Sequence, residues 1–441
     1  MSEAMKLHLE NTFKAFEVGK QFIPGGTLGI RRPYNFVEGE YPIFFDHGKG
    51  GRVVDIDGNE YIDFLCAYGP IILGYREDEV DEAVIRQMRD KGFCFSLTQP
   101  IQNELAAKLR ELIPSAEMFV FVKTGSDATT TAVRFARSHT DRLKVMRCGY
   151  HGWHDYTCRN MLSAPEKIGT RDPGSAGILD EVIDATLVCT FNDLDEVERT
   201  FKTYKGQIAA VILEPIPHNI GCVMPKPGFL EGLRRLTKEH GTILVFDEVI
   251  TGFRHNLGGY QKICGVTPDL TSMGKAIANG YPMAVLAGRR ELMEFFNTKP
   301  GGTVFFAGTY NGHAVGTSAA LATIEIMERE PVHEHIFRLG DRMRRGLVEI
   351  HQRFGIEATV TGFGSIFVTY FMEGPTANYT DLMKNDAARF VDYRRRLMER
   401  GVFKIPMNLK RAHISYAHTE ADIDNALQAA EDVLEEMTGR R

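Results

Sequence analysis

Four short segments of this sequence combine residue types that can do chemistry. In chain order they are Lys123-Thr124-Gly125-Ser126-Asp127-Ala128, Ile212-Leu213-Glu214-Pro215, Leu244-Val245-Phe246-Asp247-Glu248-Val249-Ile250 and Leu270-Thr271-Ser272-Met273-Gly274-Lys275-Ala276. In the first, Gly125 lets backbone approach a ligand closely. Ser126 and the unpaired amides of a helix start offer a place for an anion. Glu214 closes a strand just before a proline. Asp247 ends an apolar strand, where a carboxylate is costly unless it meets a cation or hydrogen-bond donors. Lys275 follows a short strand and a glycine, and an amine in a water-poor cleft loses proton affinity and becomes nucleophilic. Each segment also has an ordinary structural explanation: a common strand–turn–helix, a solvated strand-end Glu, a helix-capping Asp, a surface Lys.

Their joint order is more specific than any one of them. A phosphate cradle, then a buried carboxylate, then a lysine is the set that pyridoxal phosphate requires. That cofactor needs an anchor for its phosphate, a carboxylate that keeps its ring nitrogen protonated, and a lysine that forms a Schiff base with its aldehyde.

The surrounding elements place these segments at strand ends. From about residue 77 to 290, helical stretches alternate with short apolar strands at Phe119–Val122, Lys144–Arg147, Ile208–Leu213, Thr242–Phe246 and Met283–Gly288. Such alternation indicates a mostly parallel sheet covered by helices on both faces. Ligands of open parallel sheets bind beyond the carboxyl ends of the strands, where all four segments fall. Upstream, residues 5–20 carry helical spacing and Pro24-Gly25-Gly26 breaks the chain. Residues 41–65 read as short antiparallel strands with a turn at Asp57-Gly58-Asn59. Downstream, two long helices at 314–328 and 333–353 precede strand-like segments at 358–371 and 412–416. Helices at 380–400 and 420–437 complete a smaller α+β region.

Composition narrows the function class. The chain has 441 residues, 43% hydrophobic and 25% charged, with a net charge of −6, which points to a globular protein of two or three domains and away from nucleic acid or an anionic membrane surface. The seven cysteines form no C-x-x-C pair, so a reducing, cytoplasmic setting fits better than a disulfide framework. No apolar run approaches signal-peptide or membrane-span length. His151-Gly152-Trp153-His154, with Cys148, Asp155 and Cys158 nearby, matches no familiar metal spacing. Asp55-Ile56-Asp57-Gly58-Asn59 looks like the start of a calcium loop but lacks the later bidentate Glu, and reads as a β-turn. No metal is expected.

The sequence resembles the class III aminotransferases of pyridoxal-phosphate fold type I, and within them the glutamate-1-semialdehyde aminomutase branch. The resemblance runs from about Pro24 to the C-terminal helix. It rests on Pro24-Gly25-Gly26, Asp55-x-Asp57-Gly58-Asn59-x-Tyr61-x-Asp63-Phe64, Tyr150-His151-Gly152-Trp153-His154, Asp247-Glu248-Val249-Ile250-Thr251-Gly252-Phe253-Arg254, Thr267-Pro268-Asp269-Leu270 and Gly308-Thr309-Tyr310. It implies an α/β large domain (66–315) with a mostly parallel seven-stranded sheet. It also implies a small α+β C-terminal domain (316–441) and an N-terminal segment (1–65) that packs with the latter. It further implies that Gly125 and Ser126 hold the cofactor phosphate and that Tyr150 and Val249 or Ile250 flank the ring. Asp247 would pair with the ring nitrogen, Glu214 would lie near the phenolic oxygen or substrate, and Lys275 would form the Schiff base. Thr309 would reach the phosphate across a homodimer interface. The activity implied is ping-pong transfer of an amino group between an amino acid, β-amino acids included, and a keto acid or aldehyde, with Lys275 as proton carrier.

Substrate selection draws on further positions. Arg32, beside Arg31, falls where aminomutases of this branch carry a carboxylate-binding arginine. In Asn408-Leu409-Lys410-Arg411-Ala412, Lys410 stands at or near a place where they carry a Glu. That charge reversal suits a second anionic group rather than a second ammonium. Tyr68 and Trp153 also differ from the residues expected for the semialdehyde. An ordinary aminotransferase is therefore favoured over an aminomutase, with a racemase or decarboxylase on the same scaffold ranked lower. A non-catalytic scaffold that binds the cofactor or a phosphate is a reading of a different class. Asp247 and Lys275 together weigh against it.

Overall fold

The computed structural model describes residues 7–28, 41–161 and 165–439. The chain forms two compact units. One takes in Asp78–His333 and Pro375–Met383. The other takes in the described residues up to Glu77, Glu334–Gly374 and those from Lys384 onward.

The unit that begins at Asp78 is built on a seven-stranded sheet. Its strands lie in the spatial order Met118–Val122, Ala284–Gly288, Leu270–Met273, Ile243–Glu248, Ile208–Leu213, Lys144–Cys148, Thr186–Val188. Five neighbouring strands run parallel, and Ala284–Gly288 is antiparallel to both its neighbours. The two central strands Ile208–Leu213 and Ile243–Glu248 are buried along their whole length, as expected of a parallel sheet covered on both faces. Phe135, Val145, Ala210, Ile212, Val245 and Leu286 form part of the core. The register places Cys148 beside Leu213, Leu213 beside Phe246, and Asp247 beside Ser272. The chain therefore leaves the strands at residues 149, 214, 249 and 274 along one edge of the sheet. Because Met118–Val122 and Ala284–Gly288 are antiparallel, Val122 ends at that edge too. The antiparallel strand and the short Thr186–Val188 strand were not legible as such in the sequence, the latter because three residues carry no period.

The other unit joins both ends of the chain. Phe45–Lys49, Arg52–Asp55 and Glu60–Asp63 make an antiparallel meander, and Val402–Phe403 adds to its edge in parallel, Val402 opposite Ile62. Its apolar core mixes Tyr41, Val53, Tyr61 and Leu65 with Met398, Phe403 and Ile405. The Asp55–Asn59 segment is a turn. One Asp55 oxygen accepts from the Asp57 and Asn59 amides, the other from Asn59 Nδ2 and the Tyr61 hydroxyl. The expected strand at 358–371 is two strands, Thr359–Thr361 and Ile366–Tyr370, broken by Gly362 and Gly364 with left-handed backbone. Among the described residues, no helix is long and apolar enough to cross a membrane.

Lys404 is a buried cation of this unit. It is 4% exposed, and its Nζ lies 4.8 Å from the Phe367 ring centroid and 5.7 Å from that of Phe64. Burial, with the Arg394 charge adding to it, pushes the ammonium down to about 7. The folded state thus releases a proton that the unfolded chain keeps up to its ordinary value near 10.5, so stability rises with pH across that window. Lys404→Met removes this rise and stabilises the fold below pH 7, by a few kcal/mol at most. Urea melts at pH 6 and pH 9.5 check it: an unchanged difference between the two pH values counts against the buried-amine account.

Candidate active site

The loops at the sheet edge form a cavity of about 170 Å³ lined by Gly125, Ser126, Thr129, Tyr150, His151, Gly152, Glu214, Asn219, Asp247, Val249, Ile250 and Lys275. Eight of the residues singled out from the sequence meet here: Gly125, Ser126, Tyr150, Glu214, Asp247, Val249, Ile250 and Lys275. They come from five separate stretches of chain.

Each stretch has a local reason for its shape. Gly125 opens the helix Gly125–Thr140, capped by Thr124. The Thr124 hydroxyl accepts from the Asp127 amide, and the Asp127 carboxylate accepts from the Thr124 amide. This capping box satisfies one amide of the first turn, and the Ala128 amide reaches the Thr124 carbonyl. The Gly125 and Ser126 amides precede the helical ladder and have no partner within it. Gly125 also has no room for a side chain, since a Cβ would sit 2.7 Å from Val249 Cγ1. Gly152 shapes the opposite wall. Its φ is +99°, and a Cβ there would lie 2.3 Å from Ser126 Oγ.

Asp247 and Glu248 end one strand and, by the alternation of a strand, point to opposite faces. Glu248 is structural. Burial raises its carboxyl, and it accepts from the Tyr260 and Gln261 amides, Gln261 Nε2 and the Thr251 hydroxyl. Asp247 lines the cavity, 4% exposed. One oxygen accepts from the Val249 amide at 3.1 Å and the other meets His151 Nδ1 at 2.8 Å. Burial holds the His151 imidazole below its ordinary value despite the carboxylate beside it. The contact joins His151 Nδ1 to the carboxylate at hydrogen-bond distance. The His151 carbonyl accepts in turn from the Thr129 and Tyr156 hydroxyls at 2.8 and 3.1 Å. Glu214, 2% exposed, accepts the Tyr150 amide at 2.9 Å. Lys275 has left-handed backbone, φ 47°, directly after Gly274.

A family model described as "Aminotransferase class-III" matches residues 34–434. The chain belongs to the class-III aminotransferases. It is 44% identical over 98% of its length to a 3-aminobutyryl-CoA aminotransferase of Cloacimonas acidaminovorans, of which it covers 99%. It is 36% identical over 98% of its length to a glutamate-1-semialdehyde 2,1-aminomutase of Persephonella marina, covering all of it. Among solved structures, an omega-transaminase from Sphaerobacter thermophilus superposes with a TM-score of 0.88 at 30% identity. The match covers 96% of this chain and 97% of that one. This aminotransferase has the fold of the pyridoxal-phosphate fold-type-I transferases, as the sequence motifs implied.

The remaining residues singled out from the sequence are not in this cavity. Thr309 is exposed and lines a separate recess with Phe93, Phe95 and Gln102. Trp153 is 78% exposed. Tyr68 and Lys410 are partly buried in the other unit, and Arg32 lies outside the described residues. The sequence reading undervalued His151, weighed there only as a metal ligand. Nothing in the spacing of residues 151 and 247 signals their bond. Thr129, Gly152 and Asn219 were likewise not singled out.

His151→Ala leaves a buried carboxylate oxygen without its donor and is expected to cost about 1–3 kcal/mol in urea melts. His154→Ala, which loses a bond to the Thr130 hydroxyl and an edge-on contact with the exposed Trp153 ring, is expected to cost less. An equal loss from the two would remove the special place given to the His151–Asp247 pair.

Proposed function

We propose that this aminotransferase works with pyridoxal 5'-phosphate bound in the Lys275 cavity. We further propose that its amine substrate carries nitrogen on the carbon β to a carboxyl or acyl group, exchanged with a keto acid or aldehyde. The observation that carries the cofactor reading is the meeting of a lysine, a buried carboxylate and a helix start in one cavity. The donor set fits: Ser126 and the Gly125 and Ser126 amides would take the phosphate. Gly125 and Gly152 keep clear the space where side chains would fill that cradle. Asp247, oriented by His151, would hold a proton on the ring nitrogen. Tyr150 and Val249 or Ile250 would flank the ring, with Glu214 near its phenolic oxygen. When bound, pyridoxal phosphate supplies an aldehyde that condenses with amines and a ring that withdraws electrons from the attached carbon.

The protein's own contribution is placement and proton transfer. Lys275 would hold the cofactor through its Nζ. The same amine, once free, would serve as base and then as acid for the proton of the amine-bearing carbon. The strained backbone at Lys275 supports this reading, since such conformations gather where geometry is part of the mechanism.

The β-amino substrate class is supported by the name of the 44%-identical relative, whose substrate bears its amine at carbon 3 of an acyl thioester. Arg32, Tyr68, Trp153 and Lys410 are the proposed substrate contacts. The cation at Lys410 favours an anionic group over the second ammonium of an aminomutase intermediate. The active unit is read as a homodimer, with the partner subunit's Thr309 completing the phosphate site. In support, Thr309 is exposed, away from the cavity of its own chain, beside exposed Phe93, Phe95, Leu97 and Tyr310. A cytoplasmic location accords with seven free cysteines and a reducing compartment.

The purified protein is expected to absorb in the near-visible and to be trapped covalently by borohydride, and Lys275→Ala to lose both. Survival of either in the variant overturns the assignment of Lys275. With no acceptor present, single β-amino acids or their thioesters are expected to bleach that band stoichiometrically and release a carbonyl product. Turnover of a diamino or semialdehyde substrate without acceptor would establish the aminomutase instead. Gly152→Ala, which drives a methyl into Ser126 Oγ, is expected to weaken cofactor binding at least about tenfold, roughly 1.4 kcal/mol. Equilibrium dialysis at graded cofactor concentrations measures it.

A further inference from the structure

The motif from Asp55 to Phe64 ends in a carboxylate that the turn at Asp57 does not use. Asp63 is 1% exposed and closes the strand Glu60–Asp63. One of its oxygens accepts from the Leu65 amide at 2.7 Å. The other accepts from the Cys66 amide at 3.1 Å and the Tyr75 hydroxyl at 2.6 Å. Immediately beyond, Cys66, Ala67 and Tyr68 all have left-handed backbone, with φ of 49°, 53° and 68°. Gly69 follows at 106°, where a Cβ would meet His413 Nε2 at 3.0 Å. Residues with side chains visit this region singly rather than in runs. A run of three persists only where its surroundings over-determine it, and such strain collects at working sites.

Two anchors over-determine this one. Asp63 grips the amides that lead into it. On the far side, Arg411, 3% exposed, donates from Nη2 to the Tyr68 carbonyl at 3.3 Å and from Nε to His413 Nε2 at 3.3 Å. Ala67 is exposed and Tyr68 half-buried while Asp63, Cys66 and Gly69 are buried. The clamp therefore lies inside and the residues it sets lie outside.

We propose that Asp63 is a positioning residue of the transamination: its carboxylate holds the left-handed turn that sets Tyr68 for the substrate, with Arg411 as the second anchor. The proposal rests on the reading of Tyr68 as a substrate contact. Asp63 touches neither substrate nor cofactor and acts through Tyr68.

A double-mutant cycle on the cofactor-loaded enzyme tests it, read by steady-state kinetics with a β-amino acid donor. Tyr68→Ala is expected to raise KM about tenfold, and Asp63→Asn about five- to tenfold, each with kcat within about twofold. Because Asp63 acts through Tyr68, adding Asp63→Asn to Tyr68→Ala is expected to change KM by less than about twofold. Multiplication of the two effects overturns the proposal, as does a lowered melting temperature with unchanged KM, which marks a merely structural carboxylate. An unchanged KM in Tyr68→Ala alone overturns the reading of Tyr68 itself, an outcome distinct from failure of the coupling. Should Asp63→Asn not fold, Tyr75→Phe removes one donor from the same oxygen. It is expected to give the same coupling at smaller size, and its absence counts equally against the proposal.

Discussion

A carboxylate buried at the end of a strand is the constraint around which the cavity is built. Asp247 lies in the middle of the sheet, where an ionised group without partners would cost several kcal/mol. Its compensation comes from elements far away in sequence. The Val249 amide takes one oxygen as the chain turns out of the strand. His151 takes the other, and is itself held by Thr129 from the Gly125 helix and Tyr156 from a later turn. Satisfying Asp247 therefore fixes the loop of Tyr150, the start of the phosphate-side helix and the exit of the strand in one arrangement. The same loop carries the Tyr150 amide to Glu214. Few groups around the cavity could shift independently.

Parallel pairing makes that arrangement affordable to a chain of this length. In parallel strands all carboxyl ends lie at one edge, so segments at 149, 214, 249 and 274 converge without long excursions. The antiparallel Ala284–Gly288 strand preserves the pattern, since it lets Met118–Val122 run in the common direction and deliver Gly125 to the same edge. The glycines answer a narrower need. Gly125 and Gly152 stand where backbone approaches Val249 and Ser126 too closely for a methyl group, so the cradle is defined partly by side chains the protein leaves out.

The second unit repeats the logic with a different purpose. Asp63, like Asp247, is a strand-end carboxylate whose burial is repaid by amides and a neighbouring ring donor. There the stabilisation is set against backbone strain, roughly 1–2 kcal/mol for each left-handed residue of the Cys66–Tyr68 turn. Burial raises the Asp63 carboxyl to about 6, a measure of how far from water the clamp lies. Its counterpart Arg411 lies 343 residues beyond Tyr68, so the turn is held by two distant parts of the sequence.

The sequence by itself determined the fold class, the family and eight of the residues that line the cavity. These properties rest on local signals: an apolar run long enough for a strand, a glycine and a serine at a helix start, and a lysine behind a glycine. Period and propensity act over a few residues, and such features survive any tertiary setting. What only the tertiary structure decided is which groups meet. The His151–Asp247 bond spans 96 residues, and the Arg411 bond to Tyr68 spans 343. No periodicity encodes such pairs, because they depend on strand register and on which edge a loop reaches. That Glu248, next to Asp247, faces away from the cavity is likewise a matter of register, since a slip of one residue would exchange the two. Strain is the last feature hidden from the sequence. Cys66, Ala67 and Tyr68 have no intrinsic preference for left-handed backbone, and only the surrounding hydrogen bonds impose it.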